Sequence, residues 1–304
     1  MSTIATSSQS GRESGRASEA AGSRWRRPQL RPRSLGWFFG ALFVTSVVLF
    51  PLYWMLVSSV TPVGDLLTEH LHLFPRTSHL EFGNYWKMFL SYPVGHWLLN
   101  STLLTAGTVA LSLVVSVPAG YALSRMGTGG ATTAGLLLLL TRVIPGTLLV
   151  IPFFVMFAAM HLLNSLYGLI LADTSIIVPF AAWLLKGFFD GIPREMDQAA
   201  LVDGCNQWTA FVKIIAPLAR PGIGATAIYS VVLAWSDYLF ARTLLLDPSH
   251  WTITVGSTSL ITDVNLNWNG LMAMGIVAVV PMVAAFVVLE PFLVSGMAAG
   301  SVVG

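Results

Sequence analysis

Charge is what this chain has least of. Asp, Glu, Lys and Arg make up 10% of its 304 residues, while hydrophobic residues make up 55%. A soluble domain carries about 25% charged residues, so the deficit argues against a soluble enzyme and for a membrane protein. Cysteine is nearly absent: Cys205 stands alone and no internal disulfide can form. A nucleotide-binding P-loop is missing as well. That motif needs Lys followed by Ser or Thr, and the three lysines precede Met88, Gly187 and Ile214. An HExxH metal motif is excluded because every His is followed by Leu or Trp. His70, His72 and His79 share one loop, where solvated imidazoles are expected rather than metal ligands. No metal site is assigned, and no repeat of 20–50 residues is visible.

What charge there is lies unevenly. Arg12, Arg16, Arg24, Arg26, Arg27, Arg31 and Arg33 precede residue 34, opposed only by Glu13 and Glu19. Residues 1–35 are rich in Ser and Gly and lack apolar periodicity, so they read as a disordered basic tail. A topology-setting role suits these arginines; a nucleic-acid or anionic-lipid arm is the alternative. The first apolar run is too long for the h-region of a cleaved signal peptide.

Residues 36–304 hold six apolar runs long enough to cross a bilayer: Gly36–Val60, Trp97–Leu123, Ala131–Met160, Leu166–Phe189, Ile223–Leu246 and Leu271–Val294. The expected fold is therefore all-α and polytopic. Basic residues near span ends place both termini in the cytoplasm. The same rule puts a polar excursion, residues 190–222, on the cytoplasmic side.

That excursion is long for a simple turn. Pro193 suits the first turn of a helix, and Glu195 and Asp197, with Gln198 beside them, favour the macrodipole there. Ala199 and Ala200 are strong helix formers with small side chains, suited to close docking. Asp203 follows, and Gly204 can take positive φ and end the helix. A second helix is expected from Asn206, with Trp208, Phe211, Val212 and Ile215 on one apolar stripe.

The order of Ile192, Pro193, Glu195, Ala199, Ala200, Asp203, Gly204, Ile214 or Ile215, Pro217 and Leu218 resembles the EAA loop of binding-protein-dependent ABC transporter permeases. Further segments resemble the carbohydrate branch of that family, the maltose-type inner-membrane permeases. They are "PLYWMLVSSVTP" from Pro51, "NYWKMF" from Asn84, "NS" at Asn100, "AGYALSR" from Ala119, "NSLYGLIL" from Asn164 and "AWSDYLFA" from Ala234. The resemblance implies a type I importer permease fold and a non-catalytic subunit in the bacterial inner membrane. It implies a second related permease, two copies of a cytoplasmic ATP-binding subunit that hold ATP and Mg, and an extracytoplasmic solute-binding protein. The implied cargo is a sugar or oligosaccharide, whose identity the sequence does not give. Coupling to the ATPase falls by resemblance to Glu195, Asp197, Gln198, Ala199, Ala200, Asp203 and Gly204. Gln198 stands where the motif usually carries Glu, which replaces a charge-assisted contact by a neutral one.

Charges inside spans are costly and tend to face a cavity or a partner. Arg142, Asp173, Trp235 and Asp237 are the pathway candidates, since carboxylates and aromatic faces suit sugars. The alternative for each is structural pairing or snorkelling. Pro118, Pro145, Pro152, Pro179 and Pro281 are kink candidates. Two rival functions leave the excursion unexplained. An ion-driven secondary transporter needs mid-membrane sites in both halves, and a membrane enzyme needs a catalytic cluster that the chain lacks.

Overall fold

The computed structural model describes residues 32–62, 64, 80–126, 128–261 and 267–300. Most of the basic tail, and His70, His72 and His79, lie outside the described residues. Every regular element among them is helical. By contacts the chain divides into two units, Met1–Pro51 and Leu52–Gly304. The first helix, α1 (Pro32–Val60), carries Trp37, Phe43 and Val48 exposed, as a lipid-facing helix requires. A short helix α2 (Gly83–Ser91) precedes the long α3 (Val94–Arg125).

Four helices can cross a bilayer unaided: Gly36–Val60, Val94–Arg125, Leu166–Asp190 and Trp268–Phe292. They coincide with the first, second, fourth and sixth expected spans to within a few residues. Two further helix pairs are long and apolar enough only if each bent pair is counted as one span. Helices α4 (Thr128–Leu140) and α5 (Gly146–Ala159) are joined through a 3₁₀ turn at Thr141–Val143 and meet at 91°. Pro145 explains the break: it has no N–H to donate and holds Ile144 extended, at φ −72°, ψ 118°. Pro118, Pro152, Pro179 and Pro281 lie inside helices instead.

Helix α6 (Leu166–Asp190) packs along α3. The buried positions of α3 include a ladder of small residues: Ser101, Thr105, Thr108, Ser112, Ser116, Gly120 and Ser124. Small residues let membrane helices approach closely. A Cβ on Gly120 would lie 2.7 Å from the Leu185 Cβ, and one on Gly107 would lie 2.6 Å from Ile170 Cδ1.

After α6 come α7 (Glu195–Val202), α8 (Gln207–Ala210), a π-helical turn at Phe211–Ile215 and α9 (Ala216–Leu218). The segment Gln207–Leu218 then bends by 76° into α10 (Arg220–Ser236). The expected fifth span ran on to Leu246, but the helix stops at Ser236. Asp237 turns extended, at φ −63°, ψ 124°, and its carboxylate accepts from Phe240 N at 3.2 Å and Ala241 N at 2.8 Å. It thereby starts a separate helix, α11 (Leu239–Leu244).

Helix α12 (Ile253–Ser257) and the long α13 (Trp268–Gly300) complete the chain. At the end of the bundle away from the 190–222 loop, Asn100 donates to Ser249 O and Trp251 O, both at 3.0 Å. The Ser101 hydroxyl accepts from Ile253 N at 2.8 Å. Asn164, left-handed at φ 54°, bonds to Leu244 O and Asp247 N. Asn269, at the start of α13, donates to Ser58 O and Thr61 O near the end of α1.

Candidate functional site

The 190–222 loop is built from local signals that the sequence carries. Helix α7 ends in a Schellman motif around Gly204. Gly204 takes φ +88°, its N–H reaches Leu201 O, and Cys205 N reaches Ala200 O. A Cβ at Gly204 would meet nothing within 4 Å, so glycine is needed there for its dihedral angle and not for space. Asn206 opens the next helix by accepting from Thr209 N at 2.7 Å.

The expected stripe of the second helix divides. Phe211 and Ile215 are buried with Leu185, Phe189 and Ala219, whereas Trp208 and Val212 are exposed. The π turn is the cause: Ala216 N donates to Phe211 O, five residues back. That wider winding rotates Val212 off the buried face. Helix α7 divides too. Ala200 is buried and Ala199 exposed, so the two alanines do not share one outer face. The outer face carries Glu195, Met196, Gln198, Leu201, Val202 and Asp203, with Val202 87% exposed.

Asp197 points inward. Its carboxylate pairs with Arg125 at 2.7 Å and accepts from the Tyr121 hydroxyl at 2.6 Å. Arg125 also donates to Phe189 O and Ile192 O, at the end of α6. Arg194 returns the arrangement by donating to Ser124 O and Met126 O, at the end of α3. Each arginine thus satisfies carbonyls at the C-terminal end of a helix it does not belong to, where a cation is also favoured by the helix dipole. The surface helix α7 is therefore strapped to α3 as well as being continuous with α6. Tyr121 and Arg125 stand at i and i+4 on one helix face. Nothing local in the sequence announces their partner.

Within the span region, Arg142, Asp173 and Asp237 line one cavity of about 370 Å³ with Ile177, Leu233, Ser236 and Tyr238. Both span breaks, at Arg142–Pro145 and at Asp237, border it. Arg142 is exposed and donates to the Tyr229 hydroxyl at 2.5 Å, with Phe180 and Tyr229 rings 5.8 Å from its guanidinium. Asp173 is 4% exposed, and among the described residues its Oδ2 has no hydrogen-bond partner. The fourth candidate, Trp235, is elsewhere. It is buried in an apolar cluster with Met88, Trp97, Ile253 and Met274 and does not line the cavity. Arg142 gained its place from the 3₁₀ break, which turns it out of the regular helix. Tyr229 and Phe180, which hold it, went unmarked in the sequence because both sit within ordinary apolar helices.

An all-helical bundle of apolar crossings, with a structured polar loop strapped beneath them, defines a polytopic membrane transport permease. The family model for the binding-protein-dependent transport system inner membrane component matches residues 34–298. The chain belongs to that family and is an ABC importer permease. It is 30% identical over 272 residues to the inner membrane ABC transporter permease protein YcjP of Escherichia coli (strain K12), covering 89% of this chain and 96% of that one. It is 31% identical to the sulfoquinovosyl glycerol transport system permease protein SmoH of Agrobacterium fabrum, covering 84% and 89%. The diacetylchitobiose uptake system permease protein DasC of Streptomyces coelicolor is also 31% identical, with 86% and 96% covered. Among solved structures, a bacterial ABC transporter involved in the import of the acidic polysaccharide alginate matches with a TM-score of 0.71. The identity there is 21%, and 87% of this chain and 99% of that chain are covered. That likeness bears on the fold: the bundle has the type I importer permease architecture.

Proposed function

We propose that this chain is one transmembrane half of an ATP-driven sugar or oligosaccharide importer. A second related permease supplies the other half, two copies of a separate ATPase subunit bind ATP and Mg, and an extracytoplasmic protein delivers the cargo. Both termini and the 190–222 loop lie in the cytoplasm. The sugar class is supported by relatives whose names refer to sulfoquinovosyl glycerol, diacetylchitobiose and arabinooligosaccharides.

The observation that carries the coupling role is the strapped helix α7. Its outer face offers Met196, Leu201 and Val202 exposed beside Glu195, Gln198 and Asp203, an apolar patch with a polar rim suited to a protein partner. Its inner face is fixed to α3 through Asp197 and Arg125. A push on α7 from a closing ATPase pair is thus passed to two spans at once, α3 and α6, as a rigid-body movement. Gln198 meets the ATPase as a neutral hydrogen-bonding group. Arg142, Asp173 and Asp237 line this chain's share of the pathway.

The test is co-purification of the tagged chain from solubilised membranes, with uptake and ATPase assays on the same preparation. The expected result is recovery of an ATPase and a second permease. Val202→Glu should lose the ATPase while the chain stays in the membrane. Gly204→Asp should retain ATP hydrolysis and lose uptake. A chain that purifies alone and moves solute without ATP would falsify the proposal.

A further inference from the structure

We infer that the segment Gln207–Leu218 is an interfacial anchor. It binds an anionic phospholipid of the cytoplasmic leaflet through Trp208, Val212, Lys213 and the adjoining Arg220. This rests on the topology proposed above and goes beyond the coupling role, which belongs to α7.

The bend supplies the geometry. Helix α10 packs against α3 and α13, both long enough to cross a bilayer, and Gln207–Leu218 meets it at 76°. A segment set so steeply to a helix of the bundle runs across the spans rather than along them. It therefore lies near the level where α10 enters the bilayer. The π turn fixes which way it faces. Phe211 and Ile215 are buried against Leu185 and Phe189 of α6, while Trp208, Val212 and Leu218 are exposed. A helix lying in the interface plane with an apolar face outward is built to adsorb to lipid. Trp suits that depth because its ring is apolar and its N–H polar. Beside Trp208 is a groove of about 670 Å³, lined also by Pro118, Tyr121, Asn206, Gln207 and Phe211. The Phe211 ring centroid lies 4.7 Å from that of Tyr121 and 5.5 Å from that of Trp208. This aromatic wall suits an acyl chain, and the Asn206 and Gln207 amides suit its ester oxygens.

Charge selects the headgroup. Between Asp203 and Asp237 the sequence holds no acidic residue, and its charges there are Lys213 and Arg220. Both are exposed, and neither forms an ion pair among the described residues. Two unopposed cations beside an apolar face attract an anionic headgroup. A zwitterionic lipid offers the same acyl chains but no net charge. Because the segment joins α7 to α10, its anchoring sets the depth of α7 below the bilayer.

The test uses the full chain in nanodiscs, first alone and then with the recovered ATPase. Val212→Cys in a Cys205→Ser background carries an environment-sensitive fluorophore. Quenching is read with a doxyl group placed high on the acyl chain of phosphatidylglycerol or of phosphatidylcholine. The expected result is quenching by both lipids, with phosphatidylglycerol effective at a mole fraction about fivefold lower or less. Lys213→Gln combined with Arg220→Gln should bring the two lipids to parity and leave phosphatidylcholine quenching intact. Absence of quenching by either lipid would show a face turned to water. Quenching lost on adding the ATPase would assign the face to that subunit. Either result, or equal quenching by the two lipids before the basic residues are changed, would overturn the inference. The importer reading stands on ATPase recovery and the topology on Cys205 labelling, so each fails separately.

Discussion

Two arginines do most of the joining at the loop end of the bundle. Arg125 reaches across to carbonyls at the end of α6 and Arg194 to carbonyls at the end of α3, and Arg125 also holds Asp197. The Arg125–Asp197 pair is partly exposed, with both side chains 17% accessible, so its worth is nearer that of a surface pair than of a buried one. Its value is positional. Asp197→Asn should leave membrane insertion unchanged and loosen α7, and faster trypsin cleavage at Arg194 in inside-out vesicles is the measurement. The double variant with Arg125→Gln should be less sensitive than the sum of the two single ones, as expected for residues in direct contact. Cleavage of Asp197→Asn at the wild-type rate would show that the strap does not hold the helix. Gly204 and Asn206 were legible in the sequence because their tasks are local, a positive φ and a cap. Asp197 was legible only as an acidic residue in a first turn. Its partners, Tyr121 and Arg125, come from a different span, and no periodicity connects them.

At the level of elements, the bilayer makes helices easy to find and breaks hard to place. Span length is set by membrane thickness, so four crossings could be bounded to within a few residues. The breaks depend on single residues acting against a continuous apolar background: Pro145 in the third crossing and the Asp237 carboxylate in the fifth. Neither interrupts the hydropathy enough to be seen as an end. The π turn at Phe211–Ile215 escaped for a related reason, since a stripe at i, i+3, i+4 and i+7 presupposes regular α winding. The small-residue ladder of α3 was not read from the sequence either, although Ser101, Thr105, Thr108, Ser112, Ser116, Gly120 and Ser124 recur every three or four positions. It yields a direct prediction. Gly120→Leu forces bulk against the Leu185 Cβ and the Ala182 carbonyl and should cost about 1–3 kcal/mol. The check is a lowered midpoint in thermal unfolding of the detergent-solubilised protein, followed by size-exclusion fluorescence. Gly187→Ala, where a Cβ meets nothing within 4 Å, serves as the control. Equal midpoints for the two variants would remove close α3–α6 contact as a source of stability.

For the whole molecule, the lone cysteine supplies its own reporter of orientation. Cys205 is partly exposed in the 190–222 loop. A membrane-impermeant maleimide should label it in inside-out vesicles and leave it unlabelled in intact spheroplasts; the opposite pattern would invert the proposed topology. The Asn269 contacts have a consequence for biosynthesis. Helix α1 is made long before α13, yet Asn269 of α13 supplies the donors for Ser58 O and Thr61 O near the end of α1. A nascent chain emerges in order, so those carbonyls wait for their partner through the synthesis of everything between. Until the final crossing enters the bilayer, the bundle stays open on that side. A ribosome stalled before residue 269 would therefore hold an inserted chain whose first helix has yet to be fastened.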